Sequence, residues 1–480
     1  MINVAFALLL LPQDPAAIVQ RGVDAMGGAE ALRSARTVAA DYYTTAWSLG
    51  QSETWQSPPR ASVAYGRWIN DWQGERRVIS QESRNTAGQL ARIRRVTAGG
   101  IGFFETGVER PVQQVDNPAT VANVQRLMRR EFDRVLLAAL QHPGALSALR
   151  VRPWRGETQD GVRAALPDDT VHLWFERRSG LLSAIERVTD HPILGDRVTT
   201  TYLTRWHPAG NLRWPRQWDV MVNGDQAEHT ILTSVTINGS VPDSLFAIPD
   251  SLASRAQRGP APAAAPVRVT MTQLAAGVWR AEGGSHHTLV VEQGRQLVLA
   301  EAPQSTARFG AVLDTLRARF PGRRMAVVVN THHHWDHAGG LRAAIGAGLP
   351  IATHELNEGF IRRIAATRKT LAPDEQSRRQ RRPTIQPVRD SMVIGAGEQR
   401  VVVYPMATIH ADDVLGIWVP SARVLFTSDV VNPVANQPIP SVGARELVAF
   451  ARQYGLSPDR YAGGHGPVVA WSEIQAAGER

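Results

Sequence analysis

The chain has 480 residues, a formal net charge of +9 and no cysteine. That length exceeds one typical domain and calls for two cores, while the absence of cysteine excludes disulfides, thiolate metal ligands and a thiol nucleophile, so any metal must be held by nitrogen and oxygen. The positive charge is carried almost wholly by arginine, Lys369 being the sole lysine, and its densest run, "RRQRRP" at 378–383, reads as a solvated face rather than part of a nucleic-acid module.

In chain order, "MINVAFALLLLPQDPAA" opens with an apolar run from Val4 to Leu11 that has the character of the central region of a secretory signal. Residues 1–12 are therefore a candidate signal segment, which predicts a periplasmic or secreted protein, with a cytoplasmic one as the alternative. No later apolar run reaches the roughly 18 residues that a membrane span needs. "DPAAIVQRGVDAMGGAEALRSA" predicts two short helices separated by Gly27 and Gly28, and "PATVANVQRLMRREFDRVLLAAL" has helical apolar spacing throughout. The segments that follow alternate like strands: "TVHLWFERRSGLLSAIERVT" as a hairpin turning at Ser179 and Gly180, then "RVTTTYLTRW", "RWPRQWDVMVN" and "EHTILTSVTIN". Consecutive strands with few helices predict an α+β domain over 13–255 built on a curved antiparallel sheet. "GGAEALRSARTV" near its start and "VTINGSVPDSLFAIP" at its end resemble the periplasmic lipoprotein-carrier and lipoprotein-sorting fold. That resemblance implies a half-barrel able to hold an apolar ligand; a docking domain without a ligand is the alternative.

Alternating Pro and Ala in "AQRGPAPAAAPVR", residues 256–268, predict an extended linker, which leaves 269–480 as the second domain. "HTLVVEQGRQLVLAEAP" gives two strands around Gly294. "TARFGAVLDTLRARFPG" is an amphipathic helix, and "MAVVVN" is a short buried strand. "GGLRAAIGAG", "PIATHE", "QRVVVYPM", "VLGIWVPSARVLFTSD" and "ELVAFARQYG" continue the alternation of helix and strand, which predicts an α/β sandwich. These residues alone are expected to fold and to retain metal binding.

The chemistry concentrates in "NTHHHWDHAGG", residues 330–340. Alternate side chains leaving a strand point the same way, so His332 and His334 can converge on one ion. A turn then brings Asp336 and His337 together, with Gly339 and Gly340 suited to a tight start of the next helix. Further candidates stand at strand ends or in glycine-rich turns: His410 after "VVVYPMATI", Asp429 after "RVLFTS", and His465 in "GGHGP". This set resembles the metallo-β-lactamase superfamily over residues 269–480, which implies an αββα sandwich. By that resemblance His332, His334 and His410 hold one metal, Asp336, His337 and His465 the other, and Asp429 bridges. Two Zn2+ ions suit such a nitrogen and oxygen set, with a metal-bridging hydroxide as nucleophile oriented by Asp336 as the catalytic carboxylate.

Around that set, Glu301 in "EAP" is expected as a buried acceptor behind the ligands. His287 in "GGSHHTLV" is a candidate for substrate contact, His354 stands behind the ligands, and Asp412 with Asp413 reads as a solvated pair. Trp335 is either core or pocket lining. Asp at the bridging position, where lactamases of the family generally carry Cys or Ser, favours a hydrolase of an ester, thioester, lactone or related bond acting on a small-molecule substrate. Three alternatives stand beside it: a mononuclear Fe dioxygenase of a sulfur substrate using His332, His410 and Asp429, a lactamase-like amide hydrolase, and a lipid- or partner-binding protein with an accessory metal domain.

Overall fold

A computed structural model describes residues 14–84, 88–108, 111–256 and 267–480. The candidate signal segment 1–12 and most of the Pro/Ala linker lie outside the described residues. By compactness the chain divides into two units, the first comprising Met1–Ser48, Arg60–Val188 and Arg197–Ala264, the second Leu49–Pro59, Thr189–Asp196 and Ala265–Arg480. The second unit is therefore more than the stretch after the linker. It recruits two connections from the preceding sequence, one following the strand Thr37–Ser48 and one joining the strands Leu182–His191 and Gly195–Ala209.

The first unit is organised by one 13-stranded sheet. Its strands run as a meander on either side of the long-range antiparallel pairing of Thr37–Ser48 with Asp225–Ile237. The expected hairpin forms between Asp169–Glu176 and Leu182–His191, turning through Gly180 at φ +75°, a conformation that costs glycine nothing. Helices Pro15–Ala25 and Ala29–Ser34 flank the glycine pair as the sequence suggested. The long helical pattern after Pro118 does not run through, however. It breaks into Pro118–Arg129 and Phe132–Gln141, because Glu131 adopts an extended backbone at the second N-terminus and Phe132 turns in against Trp206 and Trp214. Ile18, Val19 and Val23 of the first helix and Leu136 share a core with Phe175 and Trp214 of the sheet. Each such side chain contributes about 1.5–3 kcal/mol by leaving water.

In the second unit, a seven-stranded sheet runs in the order Thr270–Ala275, Val278–Glu282, Thr288–Gln293, Gln296–Ala300, Arg324–Asn330, Ile351–His354 and Ile385–Val388. Its first four strands pair antiparallel and its last three join in parallel. A six-stranded sheet contains Met392–Ile394, Val401–Met406, Val414–Val419, Val424–Phe426, Arg460–Ala462 and Val469–Ala470. Val298 and Val329 of the first sheet share a core with Val403, Ile417 and Phe426 of the second, so the two sheets face one another. Helices close both outer faces. Thr306–Arg319 is capped by the Ser305 side chain accepting from the Arg308 N–H and buries Phe309, Val312, Leu313 and Leu316, the i, i+3, i+4, i+7 stripe that an amphipathic helix offers. Leu447 and Phe450 of Ser441–Gln453 pack with Ile474 of Trp471–Gly478 on the opposite side. The layering is helix, sheet, sheet, helix. No helix among the described residues is long and apolar enough to cross a membrane.

Candidate metal centre

The strand Arg324–Asn330 is buried at its C-terminal end, and the chain leaves it through Thr331 to His334 before the short helix Trp335–Ala338. Tight packing forces that turn. A Cβ on Gly339 would stand 2.1 Å from the Gln304 carbonyl oxygen, and one on Gly340 2.5 Å from the Phe309 Cβ, so glycine is the residue that fits at both. His410 follows the strand Val401–Met406, Asp429 lies in the turn Ser428–Val430 after Val424–Phe426, and His465 follows Arg460–Ala462. Parallel strand ends thus deliver ligand-type side chains to one edge of the sandwich.

Two groups form there, overlapped by a third made of Glu301, His332 and His337. The donor atoms of His332, His334 and His410 lie within 4.8 Å of one another, as do those of His286, Asp336, His337 and His465. Nε2 of His410 is 3.3 Å from Nε2 of His332, and Nε2 of His465 is 3.3 Å from Nε2 of His337. Asp429 lies between the groups: Oδ2 is 3.1 Å from His337 Nε2 and 3.6 Å from His410 Nε2, and Oδ1 is 3.1 Å from His465 Nε2.

Hydrogen bonds to the opposite ring nitrogens decide whether such a cluster suits a cation, because a neutral imidazole whose one nitrogen donates leaves the other as a lone-pair donor. His337 Nδ1 donates to Glu301 Oε2 at 2.8 Å. His332 Nδ1 meets the Thr331 hydroxyl at 3.0 Å, and that hydroxyl donates to Glu301 Oε1. His465 Nδ1 donates to the Ser285 carbonyl at 3.0 Å, and His334 Nε2 to the Ser52 carbonyl at 2.9 Å. Nδ1 of His334 is left buried with no hydrogen-bond partner. Four rings are each tied at one nitrogen with the other turned inward, a donor set that fits a nitrogen- and oxygen-bound divalent cation.

The electrostatics of the cluster are set by its carboxylates and by burial. Burial acts to raise the carboxyls of Asp336 and Asp429, yet imidazole contacts, from His286 and His337 for the first and His337, His465 and His332 for the second, hold both far below the usual carboxylate range. Burial acts to lower His337, and the carboxylates of Glu301, Asp429 and Asp336 lift it well above the ordinary imidazole value. This acidic pocket draws positive charge. For His332 and His334, burial first and neighbouring rings second outweigh the nearby carboxylates and push His332 well down and His334 down to about 3.

Glu301 is fully buried and touches both groups through their histidines. Its backbone sits at φ +80°, and Ser428, whose hydroxyl is 3.0 Å from the same His337 Nδ1, sits at φ +58°. Conformations of this kind cost a non-glycine residue about 1–3 kcal/mol and concentrate at functional sites.

Several expectations change in detail. His287, the candidate for substrate contact, is buried, its N–H donates to the Gly464 carbonyl at 2.9 Å, and burial pushes its imidazole down to about 4. The ring that reaches the centre is its neighbour His286, with Nε2 3.2 Å from Asp336 Oδ2 and the ring centroid 3.9 Å from that of His465. Asp413 is not solvated: it is fully buried and accepts from the backbone and Nδ1 of His333 at 3.0 and 2.9 Å and from Asn357. The middle one of the three consecutive histidines is thereby turned away from the centre. His354 accepts from the Leu356 N–H at the end of its strand, and Trp335 packs on the core beside Phe309 and Leu341. Replacing His286 by alanine is expected to weaken binding of a divalent cation at Asp336, His337 and His465 by about tenfold or more while sparing the other group; parental affinities in a chelator competition would refute its participation.

Residues 305–477 match the model of the metallo-beta-lactamase superfamily, and no curated protein matches the chain. Similar solved structures include the TMB-1 protein, 17% identical with a TM-score of 0.34 over 44% of this chain and 95% of that one. DIM-1 metallo-beta-lactamase is 13% identical with a TM-score of 0.35, covering 44% of this chain and 95% of its own. A metallo-beta-lactamase from Pontibacter korlensis is 18% identical with a TM-score of 0.35, covering 44% of this chain and 98% of its own. The matched residues carry His332, His334, Asp336, His337, His410, Asp429 and His465 on the strand ends described above, and over residues 305–477 this chain is similar to the metallo-beta-lactamase superfamily.

Proposed function

We propose that the protein is a binuclear zinc hydrolase of an ester, thioester, lactone or related bond in a small molecule. The observation that carries this reading is the pair of inward-facing donor groups flanking Asp429. His332, His334 and His410 would hold one ion and Asp336, His337 and His465 the other, with Asp429 reaching both. Two such ions lower the pKa of a water and stabilise charge developing on the substrate oxygen.

The chain's own groups do the rest. Asp336 is the most exposed of the three carboxylates, its side chain 38% accessible against 9% for Asp429 and none for Glu301, so it can meet both an attacking water and the substrate. Held ionised by His286 and His337, it serves as a hydrogen-bond acceptor that orients the water. Glu301, Thr331, Ser285 and Ser52 fix the rings, so little reorganisation accompanies the reaction. Export to the periplasm, and an apolar ligand for the antiparallel domain, belong to the same reading through the signal-like N-terminus and the lipoprotein-carrier resemblance.

Elemental mass spectrometry on purified protein is expected to give about two zinc ions per chain, and turnover of at least one ester, thioester or lactone should vanish on chelation and return with zinc. About one iron per chain, with oxygen uptake on a sulfur substrate, would replace this reading with the dioxygenase.

A further inference from the structure

A segment some 280 residues before the histidine motif in sequence takes part in the centre. Within the second unit, Gln51 Nε2 donates to Asp336 Oδ1 at 2.8 Å across 285 residues of chain. The next residue, Ser52, is buried and supplies the carbonyl to which His334 donates. The carbonyl of Glu53 accepts from the Asp412 N–H at 2.8 Å, between His410 and Asp413. Trp55 donates from Nε1 to the Leu356 carbonyl at 2.8 Å and lies with its ring 6.4 Å from that of Phe360. Gly50 permits the close approach: its φ is +74°, and a Cβ there would lie 2.2 Å from the Trp335 ring.

These contacts divide into anchoring and orienting. Glu53 and Trp55 anchor the segment on the C-terminal side of Ser52, by hydrogen bonds to or from backbone carbonyls and by ring packing. Gln51 and Ser52 touch candidate ligands themselves. The carbonyl of Ser52 takes the Nε2 proton of His334, which is what leaves buried Nδ1 as a lone-pair donor. The amide of Gln51 occupies Oδ1 of Asp336, which leaves Oδ2 toward His286, at 3.2 Å, and His337, at 3.5 Å. Each of the two candidate cation groups therefore has one member oriented by this segment.

We propose that Leu49–Trp55 is an integral part of the metal centre and that Gln51 is a positioning residue for Asp336, setting the affinity of the cation group to which Asp336 belongs. The proposal rests on the binuclear reading above. It is tested on the full-length chain, stripped of metal and titrated with Zn2+ against a chromophoric chelator, and in parallel with Co2+, whose visible spectrum reports ligand geometry.

Gln51→Ala is expected to weaken one of two cations by about 10- to 100-fold, to alter the Co2+ spectrum of that site only, and to leave the melting temperature of the metal-free protein unchanged. Gln51→Glu, which keeps the shape but puts an acceptor where the donor was, should do the same. Parental affinities and spectra in both variants overturn the proposal, and so does a lowered melting temperature of the metal-free variants, which would make Gln51 a structural brace. A parent chain that binds no cation defeats the binuclear reading itself, before either variant is compared.

Discussion

Asp336→Ala is expected to lower turnover by about a thousandfold, the scale on which removing a group that orients charge at a reacting centre is felt, and to leave the chain holding one cation fewer. The fold should survive. Asp336 is more than a third exposed and lies in a four-residue helix on the rim of the sandwich, so its removal opens no buried cavity, and a stability change within about 1 kcal/mol is expected. Metal analysis, thermal unfolding and turnover on the same preparation separate these effects. Parental turnover with two cations bound would remove Asp336 from the mechanism.

A fragment comprising residues 269–480 is expected to fail where the sequence suggested autonomy. It lacks both recruited segments. Without Thr189–Asp196, Lys369 loses Asp190 although its own side chain is almost wholly buried, and an unpaired buried cation costs about 3–5 kcal/mol. Thr370 and Leu371 lose the Asp196 carboxylate that accepts from their N–H groups, and Trp335 loses the edge of His191 at 5.0 Å. Without Leu49–Pro59, His334 loses the Ser52 carbonyl and Phe360 loses Trp55. At about 2–4 °C per kcal/mol for a domain of this size, the melting temperature should fall by at least about 10 °C, and cation binding should weaken at both groups. A fragment that melts with the parent and binds two cations as tightly would show that the recruited segments are dispensable.

How much of this was legible depends on the range over which each feature is encoded. The strands flanking Gly294, the helix Thr306–Arg319 and the hairpin at Gly180 follow from local alternation and capping, and all appear where the pattern put them. The residues that the structure gathers into the two candidate groups were also legible, apart from His286, because ligand types stand in one six-residue motif or just past strand ends. Burial misled the reading of Asp413, since two adjacent aspartates look like surface until the ring that one of them holds, His333, is known. The break at Glu131 carries no glycine or proline and is set by the packing of Phe132 against two tryptophans. Gln51 and Ser52 were beyond reach: "LGQSETWQSPP" reads as an ordinary polar connection, and no periodicity links it to a motif so distant in the chain.

Glu301 gives the proposed centre a property that neither cation group has alone. One carboxylate steadies His337 through Oε2 and, by way of Thr331, His332 through Oε1. Both oxygens of that fully buried carboxylate are already committed, so replacing Glu301 by Gln would put a donor where an acceptor stands and disturb one ring of each histidine set at once. A single substitution at this position is felt on both sides of Asp429, whereas a change at any one ring is felt on one.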